Sequence, residues 1–214
     1  MKSESTKTIL TTGVRDTIPS VTSCSHIILQ AHKFRIYPNA EQREFLAKHF
    51  GCCRFVYNHY LAERKAAYET DKTSLGYCAN AHSLALLKKT EEFAWLGEVY
   101  SHALQASLKN LDGAYRKFFK KQNKFPRFHS KHDKQSCTFP DNVSVSEWKL
   151  KLPKIKRAIK MSGGMPVEGK IHSATVSMTS TGKYFVSLLE LFELFSCALC
   201  SLSIRFSFAF VRFR

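Results

Sequence analysis

Between Trp95 and Phe119 the chain reads WLGEVYSHALQASLKNLDGAYRKFF. Leu104, Leu108, Leu111, Tyr115 and Phe118 recur there at the three- and four-residue spacing of one helix face. A stretch patterned this way must lie along a core, which fixes the middle of the chain as helical. Ser101, Gln105, Lys109 and Arg116 fall on another side, a line of donors and cations with no carboxylate in it; Asp112 sits beside that line. Such a helix can pack on a bundle and face a polyanion. An ordinary core helix with a solvated face shows the same period, so its neighbours must decide.

Those neighbours are basic. The 214 residues carry 33 Lys and Arg against 17 Asp and Glu, a formal charge of +16. An excess of that size repels itself in a compact chain and suits phosphates or an acidic membrane surface. Nucleic acid fits better than lipid, because the cations are interleaved with Tyr, Phe, His and Trp that can stack on bases. A hydrophobic content of 44% is that of a folded chain. Seven cysteines, with Cys52 and Cys53 adjacent, form no disulfide framework and suit a reducing cytoplasm. No signal peptide is legible in residues 1–30. The apolar tract Leu188–Ile204 is interrupted by Glu190 and Glu193 and does not read as a membrane span.

Read in order, residues 1–31 are Ser/Thr-rich and aperiodic, a flexible leader. His32–Tyr37 alternates as a short strand ended by Pro38, and Asn39 with Gln42 predicts a capping box opening a helix. Gly51 predicts a break, with a second helix burying Phe55, Val56, Tyr60 and Tyr68, so that the pair has the outline of a helix-turn-helix. A third helix over 80–89 and a long one over 98–122 complete a bundle. After Asn123 the period changes to two. Strands are predicted at 137–139, 143–145, 148–152, 158–161, 170–178 and 183–189, with Thr181-Gly182 as a turn. The expectation is an α+β fold, an antiparallel β-barrel (32–38 with 123–190) with a helical lobe (39–122) inserted after its first strand. Residues 191–214 match nothing before them and read as an aberrant, out-of-frame tail, with a genuine C-terminal edge strand as the alternative.

Metal-assisted cleavage needs converging carboxylates. The acids here are scattered over helix faces and loops, and Glu190, alone, comes nearest to ending an apolar strand. Cys197-Ala-Leu-Cys200 lacks a second ligand pair, and His129, His132 and Cys137 lie among Arg127, Lys131 and Lys134, which would repel a cation. No cofactor, zinc site or catalytic residue is expected. Binding chemistry is richer. Lys109, Arg116, Lys117, Lys121, Lys124, Arg127, His129 and Lys131 crowd the end of the long helix and the loop after it, and Arg35 and Lys170 add to the strand region. Most should contact phosphate without reading sequence. Base reading falls to Ser101, His102 and Gln105, or to Arg54 and Asn58, with Tyr77 stacking or donating. Arg54 and Asn58 serve equally well as bonds within the bundle.

With these residues assembled, the sequence resembles the N-terminal part of TnpB-type proteins, the OrfB-like transposases of bacterial insertion sequences. The matching text is FRIYPN at 34–39, GCCRFVYN at 51–58, LAER at 61–64, ALQ at 103–105, SLKNL at 107–111, FPRF at 125–128, LPK at 152–154, EGKI at 168–171 and TGKY at 181–184. The resemblance implies an RNA-guided DNA endonuclease in its intact form, with an OB-like "wedge" barrel and an inserted recognition lobe. Those parts hold guide RNA and read a short DNA motif while pairing reads sequence. It places Ser101–Gln105 and Tyr77 near the motif duplex and Phe125–Lys131 near a nucleic-acid backbone. It also implies a RuvC-like nuclease domain with a catalytic Asp and a zinc insert, for which this sequence offers no matching positions. The expectation is therefore a truncated, non-cleaving binder of RNA and DNA. The alternatives are a stand-alone helix-turn-helix regulator or a functionless remnant of an insertion element.

Overall fold

The computed structural model describes residues 25–163 and 169–195. The chain divides into two units, and the larger, Ile27–Phe192, contains the core described below. Strand β1 (Ser25–Tyr37) leads into helix α1 (Ala40–Asp71), followed by α2 (Tyr77–Leu87), a 3-10 turn (Glu91–Gly97) and α3 (Ser101–Phe119). Six strands complete the order: β2 (Gln135–Phe139), β3 (Ser144–Ser146), β4 (Lys149–Lys151), β5 (Ile159–Met161), β6 (Lys170–Met178) and β7 (Tyr184–Phe195). They form one seven-stranded sheet in the order β2-β6-β7-β1-β5-β4-β3. Each pairing whose register is defined is antiparallel. The α+β class and the helices inserted after the first strand follow the sequence pattern.

The helical lobe departs from it. Gly51 does not break a helix; α1 runs uninterrupted for 32 residues, about 48 Å at the usual rise. An internal glycine costs about 1 kcal/mol relative to alanine. Phe50, Cys52 and Cys53 on either side of it are all buried, and burial of such side chains outweighs that cost. The expected capping box does form: the Asn39 side chain accepts the Gln42 N–H and the Gln42 side chain accepts the Asn39 N–H, both at 2.9 Å. Helix α1 ends where Lys72 takes a left-handed conformation, so the turn between two helices lies at 72–76 instead. Tyr68, expected inside, is exposed near that end.

The termini also differ. Strand β1 starts at Ser25, so the last seven residues of the expected leader are strand. Strand β7 runs through Leu191, which pairs with Lys170, to Phe195; the rest of the expected aberrant tail lies outside the described residues. The 178–184 connection turns at Gly182, whose φ of 74° suits glycine, as the Thr-Gly pair predicts.

The sheet buries one face against the helices. In-register rows Phe139–Ala174–Leu188 and Cys137–Val176–Val186 cross β2, β6 and β7, and all six side chains are buried. Leu46, Phe50 and Tyr60 of α1 and Leu104, Leu108 and Leu111 of α3 belong to the same core. Cys52, Cys53, Cys78 and Cys137 are free thiols. Among the described residues no helix is long and apolar enough to cross a membrane.

Candidate nucleic-acid interface

Helix α3 is set on α1 by its first turn. His49, buried in α1, donates from Nδ1 to the Phe45 carbonyl at 2.8 Å and accepts the Tyr100 backbone N–H on Nε2 at 3.1 Å. Burial holds this imidazole below its ordinary pKa, and Lys154 pushes the same way. Lys154 itself donates to the carbonyls of Gly97, Glu98 and Val99 at 2.9–3.3 Å, closing the turn before α3. With its start so fixed and Leu104, Leu108 and Leu111 buried, α3 presents Ser101, His102, Gln105 and Lys109 to solvent.

These four are not equally free. Ser101 accepts from Lys88 at 3.2 Å. His102 is held by Asp141 at 2.7 Å, and the same carboxylate accepts from Tyr100 at 2.8 Å. Gln105 makes no side-chain hydrogen bond to any described residue, and Lys109 lies 5.9 Å over the half-buried Tyr77 ring. Gln105 is thus the amide left open for a partner.

Arg54 and Asn58 serve the scaffold. Arg54 donates to Gln135 at 2.6 Å, and the amide nitrogen of Gln135 donates to the carbonyls of Ser130, Lys131 and Asp133. Asn58 grips the His129 backbone from both sides, at 2.9 and 2.8 Å. The basic loop 124–134 is therefore fastened to α1, with Arg127 and Lys131 exposed on it. The His129 ring lies against Tyr57, 4.2 Å between centroids; burial lowers its pKa, Arg127 adds to the effect and Asp133 opposes it. Sequence reasoning missed Gln135 as the organiser of this loop. A polar side chain opening an alternating strand, just after a basic run, is the only signal for it.

At the end of α3, Asp112 lies between two cations, Arg64 at 3.4 Å and Arg116 at 2.7 Å. Arg64 is buried, whereas Arg116 remains exposed beyond the pair. Lys117, Lys121 and Lys124 are exposed and bear no ion pair within the described residues. The outer face of the sheet is also basic. Register sets Tyr37, Lys160, Lys149 and Ser146 in one exposed row, with Arg35 two residues from Tyr37 and packed over its ring. Lys160 faces Lys149 directly, a like-charge pair eased by Glu147, whose carboxylate lies 3.5 Å from Lys149 Nζ. This row was hidden in the sequence because its members come from four strands. Lys170 is exposed at the start of β6. The rim beside the row is a two-residue turn in which Glu147 and Trp148 both take positive φ, 47° and 59°, strained for a tryptophan. Packing of Trp148 on Phe34 helps hold it there.

Among the described residues, no three His, Cys, Asp or Glu side chains form a group that could hold a metal ion. Glu190 is fully buried, with Oε2 accepting the Gly169 N–H at 3.3 Å.

Comparison with known proteins gives this surface a context. A helix-turn-helix domain model of the OrfB/IS605 type matches residues 28–73, which here are most of β1, all of α1 and the first residues after it. The chain is 36% identical over 167 residues to a candidate RNA-guided DNA endonuclease of Streptomyces pristinaespiralis, covering 76% of this chain and 41% of that protein. It is 33% identical over 162 residues to a candidate RNA-guided DNA endonuclease, InsQ, of Escherichia coli K12, covering 75% of this chain and 40% of the relative. Virulence protein VsdF of Salmonella dublin is 40% identical over 116 residues, 50% of this chain and 98% of that one. The chain spans about two fifths of the first two relatives. The domain match over β1 and α1, joined to similarity that continues across three quarters of the chain, means that the chain belongs to the TnpB/OrfB-type family of insertion-sequence proteins.

Proposed function

We propose that these 214 residues are a nucleic-acid-gripping part of a TnpB-like transposon protein, holding a guide RNA and contacting a short DNA motif. The sheet (32–38 with 123–190) is the wedge and residues 39–122 the recognition lobe. The observation that carries this reading is the arrangement of α3: an exposed Gln105 on a helix anchored by His49, next to cations that continue onto a pinned basic loop. A rigid helix offering a free amide reads base edges, and flanking cations hold phosphates. The names of the Streptomyces and Escherichia relatives supply the two polynucleotides, RNA and DNA. Cleavage is not assigned to this stretch, whose described acids are spent on ion pairs and on the scaffold or lie apart. The test is binding of the purified chain to RNA hairpins and DNA duplexes across a salt series, with a magnesium cleavage assay beside it. Salt-sensitive binding without cutting supports the reading, and magnesium-dependent cutting overturns the non-cleaving part of it.

A second reading, a stand-alone DNA-binding module, has one observation in its favour. The similarity to the Salmonella dublin protein takes in nearly the whole of that short relative. Tight binding to one duplex motif without RNA would select this reading.

A further inference from the structure

Roughly four turns of α3 beyond Gln105, the ends of α1 and α3 and the loop after α3 enclose a cleft of about 490 Å³. Its apolar wall includes Tyr68, Tyr115, Phe119 and Phe125. The rings are already ordered: Tyr115 and Phe119 lie 6.3 Å apart at 26°, and Phe125 meets Tyr115 edge-on at 5.7 Å. Yet Tyr68 is 59% exposed, Phe119 70% and Phe125 45%. Aromatic rings gathered and left open mark a place where something stacks.

The charge around the cleft selects the occupant. Its two acids are already engaged, Asp112 by Arg64 and Arg116, and Glu69 by Lys65. Cations flank the cleft, for Lys72 lies 5.1 Å over the Tyr68 ring and Lys120 follows Phe119 at the end of α3, with Lys121 next in the chain. An apolar peptide would have to enter under that rim. A nucleobase brings its own phosphates to it, and a base buried in a duplex has no free face to offer.

We propose that this cleft takes one unpaired base of single-stranded RNA or DNA, stacked against Tyr68 and Phe119, with the flanking phosphates on Lys72, Lys120 and Lys121. The assignment rests on the nucleic-acid reading above and adds a base-sized site remote from Gln105. It makes the protein a sensor of unpaired strand as well as of duplex.

The test is fluorescence anisotropy of the full 214-residue chain, at one low salt concentration, with oligoadenylate, oligodeoxyadenylate, the same strands carrying abasic spacers, and a DNA duplex. Tyr68→Ala and Phe119→Ala are chosen because both rings are on the surface and their loss leaves the core intact. Each should weaken single-strand binding roughly five- to a hundredfold. Abasic strands should bind wild type and variants alike, and duplex affinity should not change. The RNA and DNA arms show which strand the cleft prefers, and a loss confined to base-bearing strands supports the site in either case. Unchanged single-strand binding by both variants overturns the cleft assignment and leaves the wider reading standing. Equal losses on duplex and single strand overturn it too, as does a wild-type dimer that Phe119→Ala dissociates with nucleic-acid affinity unaltered. A wild-type chain that binds none of these probes defeats both.

Discussion

His49 Nε2 accepts the Tyr100 backbone N–H at 3.1 Å, so one buried neutral imidazole ties the start of α3 to the middle of α1. The Phe45 carbonyl takes the Nδ1 proton, which leaves Nε2 unprotonated and free to accept. A second proton on the ring would set N–H against N–H. Because burial lowers the folded-state pKa below the ordinary 6.5, the unfolded chain takes up a proton that the folded chain refuses. The resulting stability is complete above about pH 6.5 and is lost as pH falls below it toward the folded value. Urea titrations across this window should show stability declining with acidity, and less steeply in His49→Gln. At neutral pH, His49→Ala should cost about 1–3 kcal/mol, since the Tyr100 N–H loses its partner.

Gly51 tests the continuity of α1. A Cβ built there meets nothing within 4 Å, and the residue is helical. Gly51→Ala should therefore stabilise the protein by about 0.4–1 kcal/mol, read as a raised urea midpoint with an unchanged slope. Destabilisation would mean that the chain turns there.

Asp112 should matter more to stability than Arg116, although the Arg116 bond is the shorter. Removing the carboxylate strands the buried guanidinium of Arg64, whereas removing exposed Arg116 leaves Asp112 still paired. Asp112→Ala is expected to cost about 3 kcal/mol and Arg116→Ala under about 1 kcal/mol, measured by equilibrium unfolding.

On the α3 face, Gln105→Ala should relax discrimination between matched and scrambled duplexes by about 1–3 kcal/mol, with little loss on the scrambled one. Lys121→Ala should weaken both alike and lower the salt slope by about 1. Parallel titrations of the two duplexes at fixed salt separate these outcomes.

Much of this was legible in the sequence because the signals were local. The capping box at Asn39 and Gln42 lies within four residues, and the α3 stripe of Leu104, Leu108 and Leu111 within two turns. Gly51 misled because propensity acts on one residue, while the burial of Phe50, Cys52 and Cys53 that overrides it belongs to the packed core. Arg54 and Asn58 had two open readings, and only the fold of the 124–134 loop shows them bonded to Gln135 and His129. The Tyr37–Lys160–Lys149 row depends on register between strands far apart in the chain, and the aromatic cleft depends on where α1, α3 and Phe125 converge.

The most direct measurement is the affinity of the purified chain for a DNA duplex and an RNA hairpin as salt is raised. With cations on α3, the basic loop and the outer sheet all engaged, log affinity should fall linearly with log salt at a slope of several units, for both polymers. Affinity that is absent at low salt, or present and indifferent to salt, would contradict the account.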